Sequence, residues 1–513
     1  MTDGLNLGDW LSILLFASVI GTLMIGYPIA ITLAGTSLIF AWIGHAFGVF
    51  DYQILGGLPS RYLGSMINEV LVAVPLFIFM GLVLERSGIA EMLLTTMGQL
   101  FGKLRGGLAY SVVLVGALLA ASTGVVGATV VTMGLISLPA MLRAGYDPKV
   151  ATGTICASAT LAQIIPPSTV LIFVGDLLAG VNQAAQLRMG NFSPDPISVG
   201  DLFAGALLPG ILLCGLYMLW IVYKAIFQPE TVPALKMTEA ERRGLPRRVL
   251  LALIPPLALI VAVLGSILAG VATPTESASI GAIGALLLAA MNRRLSLDTL
   301  TYAARSTMVT TSIIFVIVLA ASLFSLVFRG LGGEHLVEQA LSSIPGGAFG
   351  AMLAVMLIMF VLGFFLDTFE IILIVLPICG PALIMLGLDP LWIGVMIGVN
   401  LQTSFLTPPF GFTLFYMRGI APPSVTTGQI WMGAIPFVFL QLFTLSILWA
   451  FPPLATWLPG EVFRQAEQTS PGTRLGPGGI NSMIDSSMEE GDQDEETPEE
   501  YRTPDPAKEG PRQ

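Results

Sequence analysis

The chain has 513 residues, of which 55% are apolar and only 11% charged, with a mean hydropathy of +0.84. That is far more hydrophobic surface than a soluble core of this length needs, so a soluble helical protein, whose helices would carry polar faces, is excluded in favour of a bilayer protein. The net charge of −10 does not mark a basic partner, because most of it is concentrated in the C-terminal tail, and no nucleic-acid partner is expected.

The first apolar run, 10–25, is preceded only by Asp3 and Asp9. It lacks the basic flank of a cleavable leader and reads as a retained transmembrane helix. Further runs at 68–84, 201–223, 249–270, 307–328 and 429–452 are each long enough for a helix to cross about 30 Å of hydrocarbon. Lipid is thus the first expected partner. Between the third and fourth of these runs lies a basic segment, Lys224 to Arg248, containing Lys236, Arg242, Arg243, Arg247 and Arg248. The positive-inside rule puts it in the cytoplasm. Arg293-Arg294 returns to the same side if 249–270 and about 276–292 each cross once.

The basic linker lies near the middle of the apolar region, which prompts a search for a repeat. At an offset of 242 residues Pro139 falls on Pro381, Gly145 on Gly387, Asp147-Pro148 on Asp389-Pro390 and Pro166-Pro167 on Pro408-Pro409. Pro28 and Gly35 match Pro274 and Gly281 at an offset of 246. The halves are expected at 1–228 and 249–452, joined by the linker 229–248. Lys103 and Arg105 precede the first unit where residues 331–350 carry only Glu334 and Glu338, which favours opposite sidedness, an inverted repeat. The predicted fold is therefore an all-α integral membrane protein of two inverted repeats. Each would hold a re-entrant helical hairpin (near 107–140 and 346–386) and a broken transmembrane helix (149–180 and 391–417). Residues 453–513 form an acidic tail; from 461 on it holds thirteen acids and five bases among many Gly and Pro, a composition expected to be disordered.

Proline removes a backbone N–H and clashes with the preceding turn, so Pro166-Pro167 and Pro408-Pro409 are expected to break their helices. Paired interruptions at membrane depth point to a site at the midplane. Oxygen-bearing residues flank both breaks: Ser158, Thr160 and Ser168 in the first half, Asn400, Thr403, Ser404 and Thr407 in the second. With carbonyls freed by the breaks they could replace the water around Na⁺; alternatively each hydroxyl bonds back to its own helix. Upstream of each break lies a polar interruption, Ser122-Thr123-Gly124 and Asp367-Thr368, read as hairpin tips. An acid such as Asp367 inside an apolar stretch is a functional candidate by default, to bind the coupling cation or carry a proton; closing the tip by hydrogen bonding is the alternative. Glu276 is expected to be the N3 member of a capping box with Thr273.

Enzymatic motifs are missing. There are two histidines, His45 and His335, and three scattered cysteines, Cys156, Cys214 and Cys379, with no HExxH, GxSxG or CxxC. No GxxxxGK[ST] loop is present, since Gly98-Gln-Leu-Phe-Gly-Lys103 has the wrong spacing. An ion-driven carrier without a cofactor is the expectation.

The stretches Pro139-Ala-Met-Leu-Arg-Ala-Gly-Tyr-Asp-Pro148, Ile164-Ile-Pro-Pro-Ser168, Thr273-Pro-Thr-Glu276, Phe365-Leu-Asp-Thr368 and Leu406-Thr-Pro-Pro-Phe-Gly411 resemble the large membrane subunit of tripartite ATP-independent periplasmic (TRAP) transporters, over about residues 10–452. The resemblance implies an elevator-type, Na⁺-coupled carrier in the bacterial inner membrane. It would act with a small four-helix membrane subunit and a periplasmic solute-binding protein to import an organic acid. The N-terminus would be periplasmic and the tail cytoplasmic. The expected sodium site comprises Ser122, Thr123, Gly124, Ser158, Thr160, Asp367, Thr368, Asn400 and Thr403, of which the resemblance implies Ser122, Thr123, Gly124, Asp367 and Asn400. Substrate would lie near Pro166, Pro167, Ser168, Ser404, Thr407, Pro408 and Pro409. Where many relatives carry a Ser-Gly-Ser tip this chain reads Ser122-Thr-Gly-Val-Val-Gly127, which looks like a branch handling 2-oxo acids or other monocarboxylates. A stand-alone sodium–dicarboxylate symporter shares this plan, and a non-transporting scaffold is a reading from another class.

Overall fold

The computed structural model describes residues 6–123, 126–235 and 245–469, the side chains of 120–123, 246 and 463–469 excepted. Gly124, the linker residues 236–244 and the tail beyond 469 lie outside the described residues. The described residues contain helices and turns and no strand. The first half runs α1 (Leu7–Ile25), α2 (Ile29–Ala46), α3 (Leu58–Met66), α4 (Glu69–Arg86), α5 (Ile89–Leu100), α6 (Gly107–Thr123), α7 (Val126–Arg143), α8 (Pro148–Thr160), α9 (Thr169–Arg188) and α10 (Val199–Phe227). The second half runs α11 (Leu245–Leu268), α12 (Pro274–Met291), α13 (Leu297–Gly330), α14 (Gly333–Ser343), α15 (Gly347–Leu362), α16 (Thr368–Met385), α17 (Pro390–Leu406), α18 (Phe412–Ile420) and α19 (Thr427–Ala450), followed by α20 (Pro453–Thr469). Among the described residues ten helices are long and apolar enough to cross a membrane. Their outward faces carry large apolar side chains such as Ile31, Trp42 and Leu219, as lipid contact requires.

The 242-residue register has a local cause. α7 and α16 each end at a left-handed glycine, Gly145 at φ 86° and Gly387 at φ 89°, a conformation that costs a Cβ-bearing residue. The last carbonyls are closed by paired backbone bonds, Gly145 N–H to Leu142 O and Tyr146 N–H to Met141 O, then Gly387 N–H to Ile384 O and Leu388 N–H to Leu383 O. Two residues on, Asp147 caps α8 by accepting from Lys149 N–H at 2.8 Å. Asp389 caps α17 by accepting from Trp392 N–H at 2.9 Å. Pro148 and Pro390 occupy the first helical position, where no N–H is needed. Gly-x-Asp-Pro is thus one device, a stop followed by a start, used twice. The predicted capping box is also present, with Glu276 accepting from Thr273 N–H and Thr273 Oγ1 accepting from Glu276 N–H.

Proline alone does not decide where a helix ends. Pro139 and Pro381 sit inside α7 and α16, and Pro255-Pro256 inside α11. At Pro166-Pro167 and Pro408-Pro409, by contrast, the backbone is non-helical and both bonds are cis. α8 has already ended at Thr160, with a 3₁₀ turn over Leu161–Gln163, and α17 at Leu406. α8 and α17 are buried on every face, from Val150 to Thr160 and from Trp392 to Leu406. α19 crosses α8 at two glycines: a Cβ on Gly153 would lie 2.1 Å from Gly433 O, and one on Gly433 would lie 2.1 Å from Lys149 O. Small residues let the two backbones touch.

Candidate functional site

Short connections make α6–α7 and α15–α16 two helical hairpins, with arms of 17 and 18, and 16 and 18, residues. At about 1.5 Å per residue these arms are roughly 24–27 Å long. The first arm of each hairpin packs on the broken helix of its own half, through repeat-related positions of the two broken helices. Ser158, whose Cβ lies 2.7 Å from where a Cβ on Gly116 would be, stands 242 residues before Asn400, whose amide donates to Met356 O at 2.8 Å.

The tips cross over to the opposite half. Gln163, on the turn before the first break, donates from Nε2 to Thr368 Oγ1 at the tip of the second hairpin, at 2.8 Å. Gly127, at the start of the first hairpin's return arm, lies against the Tyr416 ring of α18, beyond the second break, so closely that a Cβ there would come within 2.9 Å. The start of the first hairpin's return arm, the second tip and residues flanking both breaks therefore meet. They enclose a cavity of about 530 Å³ walled by Val126 and Gly127 of α7, Gln163, Asp367 and Thr368, Phe405 and Tyr416, with Glu85 and Tyr302 closing it from α4 and α13.

Of the residues expected from sequence, Asp367 and Thr368 face this cavity. Asp367 keeps an exposed surface there, and its own N–H donates to Glu370 Oε2 at 2.9 Å, which starts α16. Ser158, Thr160, Ser168, Asn400, Thr403 and Ser404 are buried behind the wall. Their hydroxyls donate to local carbonyls: Ser158 to Thr154, Thr160 to Ala157, Ser168 to Gln163, Thr403 to Val399, Ser404 to Leu401, and half-buried Thr407 to Thr403. Donation uses the proton and leaves oxygen lone pairs able to accept or to ligate. Pro166 and Pro167 are sealed in the core, while Pro409 reaches the surface. Ser122 and Thr123 fall where side chains are not described. Among the described residues no cluster of three or more His, Cys, Asp or Glu is placed to hold a metal.

Sequence reasoning missed the glutamines. Gln163, Gln402 and Gln441 are fully buried, and the Oε1 of each lacks a hydrogen-bond partner, which is costly unless a ligand or water completes it. Gln441 Nε2 donates to Tyr217 OH at 2.7 Å and to Thr160 Oγ1 at 3.2 Å, and Gln402 Nε2 donates to Tyr217 OH at 3.3 Å. This network joins α10 and α19 to both broken helices. A signal was present, because Gln163 precedes Pro166 by three residues and Gln402 is the repeat mate of Thr160.

The profile of the family described as tripartite ATP-independent periplasmic transporter, DctM component, matches residues 16–454. The chain belongs to that family. It is 28% identical over 458 residues to the ectoine TRAP transporter large permease protein TeaC of Halomonas elongata, covering 88% of this chain and 99% of the relative. It is 29% identical over 476 residues to the C4-dicarboxylate TRAP transporter large permease protein DctM of Vibrio cholerae, covering 87% and 97%. Among solved structures, the YdaH transporter of Alcanivorax borkumensis superposes with a TM-score of 0.57 at 14% identity, covering 88% of this chain and 98% of that one; at that identity the likeness concerns the fold. The chain is a multi-pass inner-membrane permease subunit, not an enzyme.

Proposed function

We propose that this permease imports an organic acid, driven by sodium and acting with a small membrane subunit and a periplasmic binding protein. The observation that carries the reading is the convergence of the first hairpin's return arm, the second hairpin tip and the flanks of both breaks on one cavity, tied across the halves by the Gln163–Thr368 bond. The N-termini of α7 and α16 open onto that cavity, and the partial positive charge of a helix N-terminus favours an anionic group. Among the charged residues lining the cavity are Asp367 and Glu85, so a carboxylate entering it needs a companion cation. Asp367 and the unpartnered Gln163 Oε1 supply hard oxygen donors for Na⁺. Sodium enters here as cargo that offsets the substrate's charge. The doubled element order, with an acid in the hairpin-tip sequence only in the second half, supports unequal roles for two inverted repeats within an elevator-type carrier.

The test is uptake by the complete transporter in liposomes. A sodium gradient should drive uptake of the carboxylate captured by the binding protein, and Asp367→Asn should abolish the sodium dependence. Unchanged sodium-driven uptake by Asp367→Asn would overturn the site. Uptake by this subunit without a binding protein would replace the tripartite reading with a stand-alone symporter.

A further inference from the structure

Four of the helices that wall the cavity at the hairpin tips also wall a second one. This second cavity, of about 370 Å³, is walled by those four helices, α4, α9, α13 and α16, together with α3. The order along α4 and α13 shows that the two cavities are displaced from one another along the helix axes, and on α9 and α16 their linings adjoin, Val170 beside Phe173 and Phe369 beside Leu373. On α4 the tip cavity uses Leu82 and Glu85, and the second uses Asn68 and Leu71. On α13 the tip cavity uses Tyr302, and the second uses Ser322, Ser325 and Arg329. Between them stands an aromatic pair, Phe173 of the second cavity and Phe369 of the first, edge to face with ring centroids 5.2 Å apart.

The two cavities differ in charge. The tip cavity holds Asp367 and Glu85, whereas the second holds Arg61 and Arg329 beside Asp176, with Ser65, Ser322 and Ser325 adding hydroxyls. Asp176 is tied by Asn68 Nδ2 at 2.8 Å. Glu334 is shared between Arg329 at 3.0 Å and Arg188 at 2.7 Å. Half-buried Arg61 stands in the field of both Arg329 and Glu334 and has no side-chain hydrogen bond or ion pair of its own among the described residues. Three guanidiniums thus face two carboxylates, and the planar donor fork of Arg61 is left to point at a ligand. A guanidinium matches a carboxylate in two-point geometry, and its half-buried setting strengthens the pairing.

We propose that this second cavity is a separate carboxylate-binding station, with Arg61 as its anion-binding residue, occupied by the substrate apart from the cavity at the hairpin tips. The assignment rests on the reading of the subunit as an organic-acid carrier. It gives the anion a positively charged stop before the acidic, cation-dependent one, with Phe173 and Phe369 as the partition between the two.

The experiment is arginine labelling of the full chain in lipid nanodiscs with phenylglyoxal, read by mass spectrometry at Arg61 and, for comparison, at Arg305. Succinate and pyruvate serve as dicarboxylate and monocarboxylate probes, and glycerol as the uncharged control. At least one of the two acids should slow modification of Arg61 saturably while Arg305 is unaffected and glycerol does nothing. Asp367→Asn should leave this protection intact. Absence of protection by both acids, equal protection by glycerol, or loss of protection in Asp367→Asn would overturn the station. Failure of the carrier reading shows differently, as absent or sodium-independent uptake by the complete transporter with Arg61 still protected.

Discussion

The Gln163–Thr368 bond ties the first break to the second hairpin tip, and its worth can be worked out. Both residues are buried, at 0% and 2% exposure, and the bond is 2.8 Å long. Thr368→Val keeps the shape and removes the acceptor. The Gln163 carboxamide, whose Oε1 is already unpartnered, is then left with an unmade donor as well. A buried polar group stranded in this way costs about 1–3 kcal/mol. If that loss falls on local opening of the tip, the open population rises by roughly 5- to 150-fold. Hydrogen exchange followed by mass spectrometry over residues 363–372 reads this directly, as faster exchange confined to the tip. Gln163→Leu combined with Thr368→Val strands neither partner and should recover most of the protection, since removing both partners can be nearly neutral. Exchange identical to wild type in Thr368→Val, or a double variant as fast as the single one, would refute the reasoning.

Three further outcomes follow from the packing. Gly153→Ala and Gly433→Ala each force α8 and α19 apart by about 1 Å, because 3.0–3.4 Å is already a tight Cβ contact and each new Cβ would start at 2.1 Å from a carbonyl. Each should cost at least about 1–3 kcal/mol. The double variant should lose less than the sum, since one separation serves both, while Gly265→Ala, with open space around it, should be neutral or stabilising; thermal unfolding in detergent checks all four proteins. Asp147→Ala and Asp389→Ala each remove an N-cap worth about 1 kcal/mol and, lying in different halves, should add, which the same unfolding midpoints test. Thr132 donates to Glu85 Oε1 at 2.7 Å, tying the first hairpin to α4. Thr132→Val should lower the midpoint more than Glu85→Gln, which keeps an acceptor oxygen.

Much of this protein is decided locally and so is legible in its residues. Transmembrane helices follow from apolar length, because lipid offers backbone groups no alternative partner. The stops and starts at Gly145-x-Asp147-Pro148 and Gly387-x-Asp389-Pro390 follow from φ and from capping, and the same spacing discloses the doubling. The Thr273–Glu276 box is equally local. What could not be read is whatever depends on residues far apart in sequence. Proline itself did not distinguish Pro255-Pro256, which α11 absorbs, from the pairs at 166–167 and 408–409. Nor does any pattern within one half indicate that Gln163 would bond to Thr368, or Gly127 to the ring of Tyr416. Those contacts join one half to the other, and the glutamine network and the two differently charged cavities exist only once the two halves are packed together. Each half determines its own elements from nearest neighbours, whereas the cavity is a property of their interface.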